Sequence, residues 1–139
     1  MATAVREVMT KSPVTLQAMT PMQEAARRMR DEDIGAVIVM KDGQLCGVVT
    51  DRDIAVRGVA EGHVPAGTAI GQICSQELVC VEPDASIAEA VELMRTKAVR
   101  RLPVVEGGQP VGIVSIGDLA VDRDSGSALA DISAADPNH

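Results

Sequence analysis

Two short stretches of this chain carry the residues best suited to chemistry, Thr50-Asp51-Arg52-Asp53 and Ser115-Ile116-Gly117-Asp118. Each follows an apolar strand-like run, Gly47-Val48-Val49 or Gly112-Ile113-Val114. Each sets a hydroxyl three residues before a carboxylate, where a helix would begin. One role for this spacing is structural: the hydroxyl caps the helix and the dipole favours an acid in its first turn. The other is binding. Backbone N–H groups and a hydroxyl at a helix start suit a phosphate. A carboxylate one turn in can accept two hydrogen bonds from a ribose diol. Capping accounts for one copy, and two copies at matched positions favour a shared ligand role.

A second cluster is Val99-Arg100-Arg101-Leu102-Pro103-Val104. Paired arginines ahead of a buried strand are either solvated surface groups or guanidinium partners for a phosphate at a nearby helix end.

The elements that would position these residues come from a repeat. Sliding the chain by 65 residues lays 5–55 on 70–120 without a gap. Val14/Val79, Glu24/Glu89, Ala25/Ala90, Met29/Met94, Val39/Val104, Gly47/Gly112, Val49/Val114 and Asp53/Asp118 all coincide. A repeat of this length predicts two similar α/β units about a pseudo-two-fold axis, with paired clefts between them. The first repeat has Ile34-Gly35-Ala36-Val37-Ile38 where the second has its arginines and proline, so the two sites are expected to be unequal.

Within repeat 1, a short helix is expected over 4–9 and a strand over 14–16. Thr20, Pro21 and Gln23 read as a capping box with proline at the first helical position. Met22, Ala25, Ala26 and Met29 form one apolar face, read as core or dimer packing. Strands follow over 36–40 and 45–49, joined by an Asp42-Gly43 hairpin turn. A helix is expected from about 51 to 59. Repeat 2 follows suit: a strand over 79–81, a capping box at Ser86 and Glu89, two strands around Gly107-Gly108, and a last helix from about 116. The domain reading is 4–57 for the first repeat, 58–68 for a Gly- and Pro-bearing linker, 69–121 for the second repeat, and 122–139 for a mobile acidic tail.

Composition narrows the partners. The 139 residues include no Phe, Tyr or Trp, so any bound base would lie against aliphatic groups and backbone. That absence and a net charge of −7 argue against nucleic acid as a partner. No apolar run approaches the roughly 18 residues of a membrane span, and no signal-peptide pattern is present, so a cytoplasmic protein is expected. Cys46, Cys74 and Cys80 form no CxxC pair, and His63 and His139 lie away from them, so no metal site is expected. The cysteines read as small apolar residues, with a disulfide or redox role left open. No nucleophile–base pair, catalytic histidine or metal cage appears. No residue is assigned a catalytic role, and the chain is not expected to be an enzyme.

Over about 4–121 the sequence resembles a tandem pair of CBS (cystathionine β-synthase) domains. The carriers are Asp33-Ile34-Gly35-Ala36-Val37, Gly47-Val48-Val49-Thr50-Asp51-Arg52-Asp53-Ile54, Val99-Arg100-Arg101-Leu102-Pro103-Val104 and Gly112-Ile113-Val114-Ser115-Ile116-Gly117-Asp118-Leu119. A stand-alone pair is similar to small bacterial stress-associated proteins, including the actinobacterial hypoxic-response type. The resemblance implies an α/β (α+β) fold of two β-α-β-β-α repeats, often dimeric. It also implies an adenosine-containing ligand, AMP, ADP, ATP or S-adenosylmethionine, in clefts between the repeats.

By that resemblance the stronger site combines Arg100, Arg101, Ser115 and Asp118 with Ser12, Gln17, Ile34 and Gly35. Asp118 would take the ribose, and Ser115 and the arginines the phosphate. A weaker site combines Thr50, Arg52 and Asp53 with Glu77, Glu82, Val99 and Arg100, Arg52 standing in for the missing arginines. The expected function is a non-catalytic regulatory module that signals through a homodimer or an unidentified protein partner. The alternative is a ligand-free interaction protein that binds its partner constitutively.

Overall fold

The computed structural model describes residues 4–75 and 78–123. In chain order these form a 3-10 turn (Val5–Glu7), β1 (Thr10–Lys11), β2 (Thr15–Gln17), α1 (Met22–Glu32), β3 (Ala36–Lys41) and β4 (Gln44–Thr50). Next come α2 (Asp51–Asp53), which continues as a π-helix over Ile54–Val59, and a 3-10 turn (Ile70–Gln72). The chain proceeds through α3 (Ile87–Lys97), β5 (Arg101–Glu106), β6 (Gln109–Ser115) and α4 (Ile116–Arg123). This is the mixed α/β fold that the repeat implies. The tail beyond 123 and Glu77 lie outside the described residues.

The hairpins form as the turn chemistry dictates. Asp42 and Gly43 adopt φ of 53° and 77°, and Gly107 and Gly108 adopt 60° and 80°. Two successive positive φ values match the twist of the flanking strands.

The chain divides into two compact units. The Asp53 unit is Val14–Leu78, with a sheet in the order β2-β3-β4. The Asp118 unit joins the residues before Val14 to those from Val79 onward, with the order β1-β6-β5. In the first, β2 runs parallel to β3 and β4 antiparallel to it. In the second, β6 is antiparallel to both β5 and β1, and Val81 bridges Val104 in parallel. The expected strand over 79–81 is reduced to that single bridge.

The two cores match position by position. Met22, Ala25, Met29, Val37, Val39, Val49 and Ile70 are buried in one, and Ile87, Ala90, Met94, Leu102, Val104, Val114 and Val5 in the other. Each fully buried aliphatic side chain contributes roughly 1.5–3 kcal/mol. The last pair is exchanged: Val5, from repeat 1, sits in the core of repeat 2, and Ile70 sits in the core of repeat 1. Backbone bonds hold the exchange. Val5 and Arg6 donate to Ala85 and Pro83 carbonyls at 2.9 and 3.0 Å. Ile70 and Gly71 donate to Thr20 and Ala18 at 2.8 and 2.9 Å.

The capping boxes expected at Thr20 and Ser86 fare differently. Helix α1 has Pro21 at its N-cap and no side-chain cap, so the Thr20–Gln23 capping box does not form. Its first N–H groups are taken instead by the 58–68 segment: Met22 donates to Thr68 O at 2.7 Å and Gln23 to Pro65 O at 3.0 Å. At α3 the Ser86 hydroxyl does cap, accepting from Glu89 N–H at 3.0 Å.

Candidate functional site

The Asp118 junction lies where β6 runs into α4. Ser115 N–H donates to Asp118 Oδ2 at 2.8 Å, and Asp118 N–H donates to Ser115 Oγ at 3.1 Å. This reciprocal pair is a capping box. Burial pushes the Asp118 carboxyl up from the ordinary carboxylate range, against the two Ser115 hydrogen bonds and the positive field of Arg101. Asp118 Oδ1 and the Gly117 N–H make no hydrogen bond with a described residue.

The sheet brings the arginines to the same place. Arg101 stands opposite Ser115 in the β5–β6 register. Arg100 O accepts from Ile116 N–H at 2.8 Å. Arg6, Arg28, Arg30, Arg57 and Arg95 each pair with a carboxylate within 4.0 Å. Arg100 and Arg101 pair with none among the described residues. One junction thus gathers a hydroxyl, a carboxylate oxygen, a helix N–H and Arg101, whose charge acts on Asp118, with the Arg100 backbone alongside.

The Asp53 junction repeats the box and closes the rest. Thr50 N–H donates to Asp53 Oδ2 at 2.9 Å, and Asp53 N–H to Thr50 Oγ1 at 3.1 Å. Here Asp53 Oδ1 faces Arg57 Nε at 3.9 Å. The Arg52 N–H, at the position of Gly117, donates to Asp51 Oδ1 at 2.8 Å. Ala36 takes the place of Arg101 opposite Thr50. Gly35 O accepts from Asp51 N–H at 3.0 Å, as Arg100 O does for Ile116. Arg52 is exposed and its side chain pairs with no described carboxylate.

A family model, CBS domain, matches residues 5–58 and 70–121. This chain belongs to the CBS domain family. It is 41% identical to the CBS domain-containing protein YhcV of Bacillus subtilis over 134 residues, 94% of this chain and 95% of that one. It is 35% identical to Hypoxic response protein 1 of Mycobacterium tuberculosis over 119 residues, 85% of this chain and 83% of the relative. A solved structure of Hypoxic Response Protein I with two coordinated zinc ions aligns with a TM-score of 0.75 at 34% identity, covering 84% of this chain and 96% of that one. Among the described residues of this chain, no group of three or more His, Cys, Asp or Glu side chains is arranged to hold a metal ion. No helix among them is long and apolar enough to cross a membrane. CBS domains are characteristically non-catalytic regulatory modules that bind ligands.

The other CBS site residues are spread more widely. Of the eight residues assigned to the stronger site, Arg100, Arg101, Ser115, Asp118 and Ser12 belong to the Asp118 unit, and Gln17, Ile34 and Gly35 to the Asp53 unit. Arg100, Arg101, Ser115 and Asp118 come together. Ser12 follows β1, whose register (Thr10 with Ile113, Lys11 with Gly112) carries the chain away from Ser115. Gln17 pairs with Met40 at the far end of β3 from Gly35. Of the weaker set, Thr50, Arg52 and Asp53 share one junction. Glu82 and Val99 belong to the other unit: Glu82 is exposed beside Val81, and Val99 packs on the core with its N–H on Met94 O at 3.0 Å.

Sequence reasoning missed Arg57, which occupies Asp53. Its i,i+4 spacing from that acid was the available signal. It also missed why Gly47 and Gly112 coincide. A Cβ on Gly112 would lie 2.9 Å from Thr10 O, and one on Gly47 would collide with Ser75 O. Each glycine admits the backbone of a segment from the other CBS repeat. A glycine inside a strand pattern signals such an approach.

Proposed function

We propose that this chain is a regulatory CBS module that binds an adenosine-containing ligand, AMP, ADP, ATP or S-adenosylmethionine, principally through the Asp118 junction. The observation that carries this reading is the contrast between the junctions. Asp118 Oδ1 and the Gly117 N–H lack protein partners among the described residues, while Asp53 Oδ1 and the Arg52 N–H are paired. In the proposed role Asp118 Oδ1 accepts from the ribose hydroxyls. Ser115, the Gly117 N–H, Arg100 and Arg101 receive the phosphate.

Binding would act by favouring one state of a homodimer or of a partner complex, through differential affinity for the two states. Exposed apolar side chains at Val56, Val59 and Val64 offer a face for a second copy. A ligand at a hundred times its dissociation constant stabilises the folded state by about 2.7 kcal/mol. Thermal unfolding with each ligand at millimolar concentration therefore tests the proposal. A raised midpoint in the wild type, reduced in Asp118→Ala, supports it. No shift with any of them, or the same shift in Asp118→Ala, contradicts it.

A second reading draws on one observation. The Asp53 junction is satisfied internally, which suits a CBS pair that keeps its fold without a ligand there. If that holds for both junctions, a partner protein is captured equally with and without nucleotide.

A further inference from the structure

The three cysteines have no part in the proposed ligand site. Cys80 belongs to the Asp118 unit and Cys46 and Cys74 to the Asp53 unit, all three with free thiols. Two features bring Cys46 and Cys74 together. The first is a bulge in β4: Val39 pairs with Gly47 and Met40 with Leu45, leaving Cys46 as the extra residue. A bulge re-aims its side chains, and Cys46 packs against the core cluster that contains Cys74.

The second is the segment after Ile70–Gln72, laid along the edge of β4. Ser75 N–H donates to Val48 O at 3.1 Å. Gly47 leaves room for this approach, and Cys74 Sγ lies 3.4 Å from where a Gly47 Cβ would be. Burial raises the Cys74 thiol, and the Cys46 thiol beside it adds to that rise.

We propose that Cys46 and Cys74 are a reversible dithiol–disulfide site, oxidised by a peroxide. Cys46 is partly exposed and Cys74 is 1% exposed, so the oxidant meets Cys46 first. The Cys46 sulfur attacks a peroxide oxygen and the O–O bond breaks. The thiol becomes a sulfenic acid and hydrogen peroxide is reduced to water. Cys74 then attacks the sulfenic sulfur. The S–O bond breaks, an S–S bond forms, and a second water leaves with the Cys74 proton. Burial holds the Cys74 thiol up at about 11, which suits a resolving thiol and not the first nucleophile. The bond would fasten the 70–75 segment to β4. It lies behind the Asp53 junction, where Arg57 donates to Cys74 O at 3.5 Å and faces Asp53.

The test uses the full-length reduced protein, hydrogen peroxide, then denaturation with alkylation of the remaining thiols, and non-reducing peptide mapping. Two of the three thiols are expected to disappear, leaving Cys80 alkylated. The intact mass should fall by two hydrogens, a Cys46–Cys74 cross-linked peptide should appear, and reductant should reverse all of it. Cys80→Ser should behave as the wild type. Cys46→Ser, at the more exposed position, should keep the fold and leave Cys74 alkylatable. Cys46 driven to sulfinic acid while Cys74 stays free, or a cross-link through Cys80, overturns the proposal.

Discussion

Ser115 and Asp118 hold each other twice: the Ser115 N–H sits 2.8 Å from Asp118 Oδ2, and the Ser115 hydroxyl accepts the Asp118 N–H at 3.1 Å. The pair fixes the first turn of α4 and uses only one carboxylate oxygen. The second oxygen, the Gly117 N–H and the neighbouring Arg101 are what a nucleotide would need. Structure and proposed function therefore meet in the same two side chains.

Loss of the cap should be measurable without any ligand. Ser115→Ala removes the acceptor for Asp118 N–H, and N-cap substitutions of this kind cost about 1 kcal/mol. Urea unfolding of the variant should show that loss at unchanged slope. An unchanged midpoint would mean that the box contributes nothing to the fold.

Asp118 should also set a pH dependence. Its carboxyl is raised by burial, with the Ser115 bonds and Arg101 opposing. A folded-state pKa above the unfolded one gives stability that is fully present below the unfolded pKa. That stability is lost as pH rises through the folded pKa. Asp118→Asn keeps an oxygen for the Ser115 N–H and removes the charge. Its stability relative to wild type should therefore improve between pH 4 and pH 7. A relative decline over that interval would show the carboxylate to be favoured by the fold.

The coincident glycines should not tolerate a methyl group. Gly47→Ala would press on Ser75 O, and Gly112→Ala on Thr10 O at 2.9 Å. Overpacking of this kind costs typically about 1–3 kcal/mol. Both variants should unfold at lower denaturant than wild type. A neutral Gly112→Ala would show that the β1 segment moves aside freely.

Much of this was legible in the sequence. The Asp42-Gly43 and Gly107-Gly108 turns declared their hairpins by residue type, and the 65-residue register located both capping boxes. The exchange of Val5 and Ile70 was not legible, because β1 is only two residues, Thr10 and Lys11, both polar. Nor was the α1 cap, since backbone carbonyls of Pro65 and Thr68 carry no side-chain signature. The arginines were found as a pair, but their lack of ion pairs among the described residues is a property of the packed chain.

A stabilising change is available at Ala98. It ends α3 in the left-handed region with φ of 55° and ψ of 42°. That conformation costs an L-residue roughly 1–2 kcal/mol, and glycine returns part of the gain as chain entropy. Ala98→Gly should stabilise the protein by about 0.5–1 kcal/mol in urea unfolding. Destabilisation would mean that the methyl group has a packing role.

The central claim is that the Asp118 junction, and not the Asp53 junction, is the principal nucleotide site. Isothermal titration of AMP into wild type, Arg101→Ala, Asp118→Asn and Asp53→Asn tests it most directly. Hydrogen bonds to charged groups contribute about 1.5–3 kcal/mol. Arg101→Ala and Asp118→Asn should each weaken the tighter site by roughly tenfold to hundredfold, while Asp53→Asn leaves it unchanged. An equal loss in Asp53→Asn, or full affinity in Asp118→Asn, would contradict the account.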